Sequence, residues 1–163
     1  MPERLLRILL VLLAVPGAIV GLWATFAPRS FYDDFPGGGR SWVSADGPFN
    51  EHLVRDVGSL YLAVTVITVA AAILLVRSLV VIAGLGWLVQ GIPHLVYHLR
   101  HLDLYGTGDQ VANVTGLALV PLLAIGVLLL GVKMPASPTL RSSASSTSGS
   151  AAPAATSSST STE

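Results

Sequence analysis

"AAAILLVRSLVVIAG", Ala70 to Gly84, holds the decision about the fold. On each side of Arg77 and Ser78 the chain stays apolar for the roughly 20 residues that a bilayer crossing takes. Within a membrane the backbone must satisfy its own polar groups, so each apolar run reads as a helix. A connection of two polar residues then forces a tight antiparallel hairpin. The second and third spans are neighbours.

Working outward, the same reading places four spans, at residues 5–26, 53–76, 79–99 and 111–132. Composition agrees: 52% of the 163 residues are hydrophobic and 11% charged, and the mean hydropathy is +0.70. Soluble domains carry roughly a quarter charged residues. The expected fold is therefore all-α: a polytopic four-helix transmembrane bundle over residues 1–133, with an extracytoplasmic loop between the first and second helices. Arg4 and Arg7 precede an apolar run too long for a signal-peptide core, and Pro28 follows the best cleavage candidate, so the first span reads as an uncleaved helix. Residues 134–163 are Ser, Thr, Ala and Pro with few large apolar groups, and are expected to be disordered.

Charge and cysteine usage exclude several classes. Nine basic and nine acidic residues cancel, which gives no basic footprint for nucleic acid. The absence of cysteine removes disulfides, thiolate metal sites and cysteine nucleophiles. With both termini inside, Arg4, Arg7, Arg77, Lys133 and Arg141 lie on the cytoplasmic side. Arg29, Arg40, Arg55 and Arg100 then lie outside. This positive-inside balance, with Arg4 and Arg7 flanking the first span, predicts N- and C-termini in the cytoplasm of a bacterial inner membrane.

Polar side chains gather at the opposite, outer end. In "QGIPHLVYHLRHLDLYG", Gln90 to Gly106, residues Gln90, His94, His98 and His101 recur at spacings that set them on one helical stripe. In "NEHLVRDVG", Asn50 to Gly58, Asn50 is the expected N-cap. Glu51 with Arg55, and His52 with Asp56, stand four apart and can pair on the helix surface. Counting outward from Arg77 and Ser78 brings Asp56 level with His98 and His52 close to His101. Asn113 enters from the fourth span on the same side. Gly84, Gly86 and Gly91 allow close helix approach, and Pro16, Pro93 and Pro121 interrupt spans. Nine of the eleven aromatic residues also fall at this end, so "FYDDFPGGGRSW", Phe31 to Trp42, is expected to fold back as a cap. Phe31, Tyr32, Asp33 and Trp42 are its candidate contact residues.

Three chemistries fit such a cluster. Two histidines four apart can share a metal ion, which makes His94 and His98 the candidate ligands, with Glu51, His52 or Asp56 completing the shell. Haem demands axial ligands from two helices, because His94 and His98 cannot both serve one ring. A quinone head group could hydrogen-bond near His98, Asp56 and Arg55. Each competes with a plainer explanation, an interhelical hydrogen-bond network that holds the bundle in register. Four spans without an internal repeat argue against alternating-access transport.

The stretch "APRSFYDDFPGGGRSWVSADGPFNEHLVRDVGSLYLAV", Ala27 to Val64, together with "GIPHLVYH", Gly91 to His98, resembles a group of small four-helix membrane proteins of actinobacteria. That group is similar to the broader DoxX-like class. The resemblance covers Leu5 to Val132 and implies the four-helix architecture. Some DoxX-like proteins are linked to quinone-coupled sulfur oxidation or membrane oxidoreductase complexes, but no catalytic motif of theirs maps onto this chain. The resulting expectation is a non-enzymatic structural or partner subunit in the lipid bilayer. It needs no cofactor and meets a membrane-protein partner or a second copy. The alternative is a redox-associated subunit holding a metal, haem or quinone at the outer cluster.

Overall fold

The computed structural model describes residues 2–135. Past Pro135, the tail assigned to 134–163 lies outside the described residues. The elements run α1 (Pro2–Phe26), α2 (Pro28–Asp34), β1 (Pro36–Gly37), β2 (Arg40–Ser41), α3 (Glu51–Leu74), α4 (Arg77–Leu99) and α5 (Thr107–Gly131). Four of the helices are long and apolar enough to cross a membrane. Even α4, the shortest of them at 23 residues, spans about 34 Å at 1.5 Å per residue, more than the ~30 Å hydrocarbon layer. The chain is an all-α, multi-pass membrane protein. One end of the bundle carries the α1–α3 and α4–α5 connections and is called the loop end. The other carries the start of α1, the α3–α4 turn and the end of α5.

Boundaries differ from the expected spans for one reason: a helix extends past its apolar stretch wherever polar residues can sit at the interface. Asn50 caps α3 by accepting from the Leu53 amide at 3.1 Å, so the helix starts at Glu51. α5 starts at Thr107, with Asp109 in its first turn. At the tight turn the correction matters more. Arg77 and Ser78 are the first residues of α4, and the connection is Leu75 and Val76. Leu75 adopts the left-handed conformation (φ 49°) and returns its amide to the Ala71 carbonyl. Pro16, Pro93 and Pro121 all lie inside continuous helices.

Packing divides the bundle into two pairs, α1 with α3 and α4 with α5. Small residues set both seams, as expected where lipid removes any hydrophobic drive between helices. At Gly58 the α3 backbone runs so close to α1 that an added Cβ would lie 2.6 Å from the Thr25 nitrogen. Gly17 and Gly21 lie equally close to Thr65, Trp87 and Leu62. On the other seam Gly84 meets Leu128, Gly91 meets Val120 and Pro121, and Gly131 meets Val80. Gly86 sits 3.6 Å from Val64, an ordinary contact, so of the three glycines singled out in this helix only Gly84 and Gly91 mark a close approach.

The half of the bundle away from the loops is apolar and tightly filled, around Leu6, Leu10, Leu13, Val80, Ala124 and Val127. Near mid-span Trp87 donates to Thr68 Oγ1 at 2.8 Å, and that hydroxyl donates onward to the Val64 carbonyl at 2.7 Å. One step toward the loops, Gln90 Nε2 donates to Tyr61 Oη at 2.6 Å. These two bridges tie α3 to α4 across the gap between the pairs.

The loop end as candidate functional site

The segment between α1 and α3 is an ordered cap. Pro28 at the first helical position starts α2, because proline is tolerated where no amide is needed. Arg29 pairs with Asp33 at 2.7 Å along that helix and lies over the Tyr32 and Phe49 rings. Phe31 turns inward onto Ala24 and Val54, with Trp23, Phe35, Val43 and Phe49 around it. Glycines at 37, 38 and 39, all with positive φ, turn the chain between β1 and β2. Tyr32 Oη donates to the Gly47 carbonyl at 2.6 Å and closes the cap on itself.

Three further bonds fasten the cap to the helix ends. Tyr97 Oη donates to Asp46 Oδ1 at 2.9 Å, and Arg40 Nε donates to Asp109 Oδ1 at 2.7 Å. Tyr105 Oη donates to the Trp42 carbonyl at 3.3 Å. The rings of Phe35, Trp42, Tyr105 and His98 follow one another at centroid separations of 6.2, 6.3 and 6.1 Å. Burial pushes the Tyr105 phenol up to about 12, and the nearby charges of Asp46 and Tyr97 act in the same direction. Of the expected cap contact residues, Phe31 is buried, while Tyr32, Asp33 and Trp42 are partly buried within the cap itself.

The predicted polar cluster separates into two groups. On α3, His52 pairs with Asp56 at 3.2 Å and Arg55 with Glu51 at 2.8 Å, the two four-residue pairings expected from spacing. Arg55 also donates to the Thr25 carbonyl, which ties α3 to α1. This group is exposed, the His52 side chain at 88%. On α4, the His94 and His98 rings meet edge to face at 4.8 Å, and Tyr97 stacks on His101 at 4.2 Å. His101 Nδ1 returns to the Tyr97 carbonyl at 2.8 Å. Gln90 is engaged deeper, with Tyr61.

The two groups do not meet at the expected levels, and the two-residue shift of the turn explains why. With Tyr61 opposite Gln90, equal counts toward the loops place Asp56 opposite Leu95 and His98 opposite Leu53. Above that bridge α3 leans on α1 and α4 leans on α5.

Asn113 is buried on α5. Extending the contacts of Gly84, Gly91 and Gly131 along the seam places it opposite His98 on the facing stripe.

A metal or haem finds little here. Among the described residues no three His, Asp or Glu side chains gather as a ligand set. A haem needs a ligand facing His94 or His98 from another helix. His52 instead pairs along α3 with Asp56, in the exposed group. The residues present do not fit either group.

Several residues that organise this end escaped sequence reasoning. Tyr61, Asp46, Arg40 and Asp109 bond across long sequence separations, and their signal was only the misplaced register and a charged residue in each loop. The fold and its loop end define a multi-pass membrane protein with a folded, polar cap. No protein-family model matches the chain, and no curated protein or solved structure matches it.

Proposed function

We propose that the chain is a small non-enzymatic subunit of a bacterial cytoplasmic membrane, whose cap meets a membrane-protein partner on the outer side. One observation carries this reading. Polar side chains at the loop end are spent on bonds within the chain, Asp46 to Tyr97, Arg40 to Asp109 and Tyr32 to Gly47, which build a fixed surface. A reacting centre needs such groups to converge on one point with free valences. The architecture shared with DoxX-like proteins belongs to the same proposal.

Orientation follows from charge. Among the described residues the end opposite the loops carries Arg4, Arg7, Arg77 and Lys133 against Glu3 alone. The loop end is acidic, with Asp33, Asp34, Asp46, Glu51, Asp56, Asp103 and Asp109 against four arginines. The positive-inside rule then sets both termini in the cytoplasm.

The chain has no cysteine, so single cysteines report cleanly. An impermeant maleimide on intact cells should label Ala45→Cys and reach Lys133→Cys only after permeabilisation; the reverse pattern would overturn the orientation. Purification from native membranes should bring down a second polypeptide in fixed ratio, joined by a photo-crosslinker placed at Ala45. The adjacent His94 and His98 rings favour one competing reading, a cofactor subunit. A chain isolated alone with stoichiometric metal or a haem band, lost in His94→Ala/His98→Ala, would establish that reading instead.

A further inference from the structure

Two hidden polar atoms at the loop end have no partner among the described residues, and they come from different elements. Asn113 is 3% exposed, and its Oδ1 is unpaired. The Trp42 indole Nε1, hidden under the cap, is unpaired too. Both belong to one locus. Trp42 passes its carbonyl to Tyr105 Oη, that hydroxyl lies 3.5 Å from His98 Nδ1, and Asn113 stands opposite His98 on the α4–α5 seam. At 3.5 Å an O–H···N contact is too long to satisfy the imidazole nitrogen well. Three polar atoms are thus left wanting around one small region. Buried polar groups are costly unless hydrogen-bonded.

We propose that this region, the loop end of the α4–α5 seam beneath Trp42, binds a hydroxyl-bearing guest that accepts from Trp42 Nε1 and donates to Asn113 Oδ1. The chemistry follows from the two demands. A carbonyl accepts but cannot donate, a carboxylate has no proton to give, and an ammonium has no lone pair. A hydroxyl does both, and it satisfies the Asn113 carboxamide whichever way its oxygen and nitrogen point. Two sources offer that chemistry at the membrane interface: an ordered water, or the hydroxyl head of a membrane amphiphile whose tail leaves toward lipid. The guest site is independent of the partner reading, since it lies inside the chain rather than on the cap surface.

The test uses the full chain in mild detergent with indole-15N tryptophan. Only three indoles are present, and Trp42→Phe identifies the one of interest. A hydrogen-bonded guest places that resonance downfield, and Asn113→Leu moves it. A Trp42 resonance at the position of an unbonded indole overturns the proposal. Thermal midpoints give a second readout. Trp42→Phe and Asn113→Leu are each expected to lower the midpoint by about 3 °C, and the double variant by little more than either alone, because both lose the same guest. Additive losses, or an Asn113→Leu protein more stable than the parent, also overturn it. Organic extraction and mass spectrometry then separate the sources. A stoichiometric hydroxyl-headed lipid, absent from both variants, identifies an amphiphile; no extractable molecule with the downfield resonance retained identifies water.

Discussion

Gly58→Ala should cost this bundle stability although alanine is the better helix former. The new methyl carbon would lie 2.6 Å from the Thr25 backbone nitrogen, 2.6 Å from its Oγ1 and 2.9 Å from Ala24 Cβ. Non-bonded carbon contacts settle at about 3.5 Å or more, so α1 and α3 must part locally by close to ~1 Å. The nearest atom is backbone, which cannot rotate aside. Overpacking of this kind costs about 2 kcal/mol, and the gain in helix propensity returns about 1 kcal/mol. The net loss is then about 1 kcal/mol. Gly116 supplies the control. An added Cβ there meets nothing within 4 Å, so Gly116→Ala keeps only the propensity gain of up to about 1 kcal/mol. The two variants should therefore differ by about 2 kcal/mol, roughly thirtyfold in the unfolding equilibrium. Titration with a denaturing detergent, followed by tryptophan fluorescence and circular dichroism, reads that difference directly. A Gly58→Ala midpoint at or above that of Gly116→Ala would falsify the account of the α1–α3 seam.

Other predictions follow from the bridges and the cap. Trp87→Phe removes the 2.8 Å bond to Thr68 and should destabilise by about 1 kcal/mol; its effect and that of Thr68→Val should be strongly non-additive in a double-mutant cycle. Arg40→Ala breaks an ion pair whose side chains are 51% and 34% exposed, so global stability should fall by less than about 1 kcal/mol, while amide exchange across residues 36–46 quickens. The Tyr105 phenol, with its pKa raised to about 12, holds its proton longer in the folded than in the unfolded chain. Its contribution is complete below the ordinary tyrosine value of about 10 and is lost as pH rises from there through about 12. An absorbance titration of tyrosinate should lose its latest component in Tyr105→Phe; an unchanged curve would remove Tyr105 from that role.

Apolar length made the four helices legible, and helical spacing made the His52–Asp56 and Glu51–Arg55 pairs legible, because both are properties of single helices. The packing of the aromatic segment back over the bundle was legible from the one-sided distribution of rings. Tertiary register was not. It hung on whether Arg77 and Ser78 lay in the turn or in the helix, and hydropathy does not distinguish the two, since a polar residue at the interface is equally content in either. The two-residue difference displaced every cross-helix match between α3 and α4 and hid the bond between Tyr61 and Gln90. The seam glycines Gly17, Gly21 and Gly58 were equally hard to rank against Gly86 and Gly116. A glycine is silent about what faces it until the neighbouring helix is in place.

The division into two pairs has a consequence for how the chain is made. Its most intimate seams join the first span to the second and the third to the fourth. During synthesis the second span therefore meets its partner on arrival, since α1 is already in the bilayer. The third enters with Gly84 and Gly91 facing nothing and with Gln90 and His94 well inside the span. Its Gln90 can be satisfied at once by Tyr61, which emerged just before it. That bond gives a half-built protein a way to hold its most polar helix in the membrane until the ribosome delivers the last one.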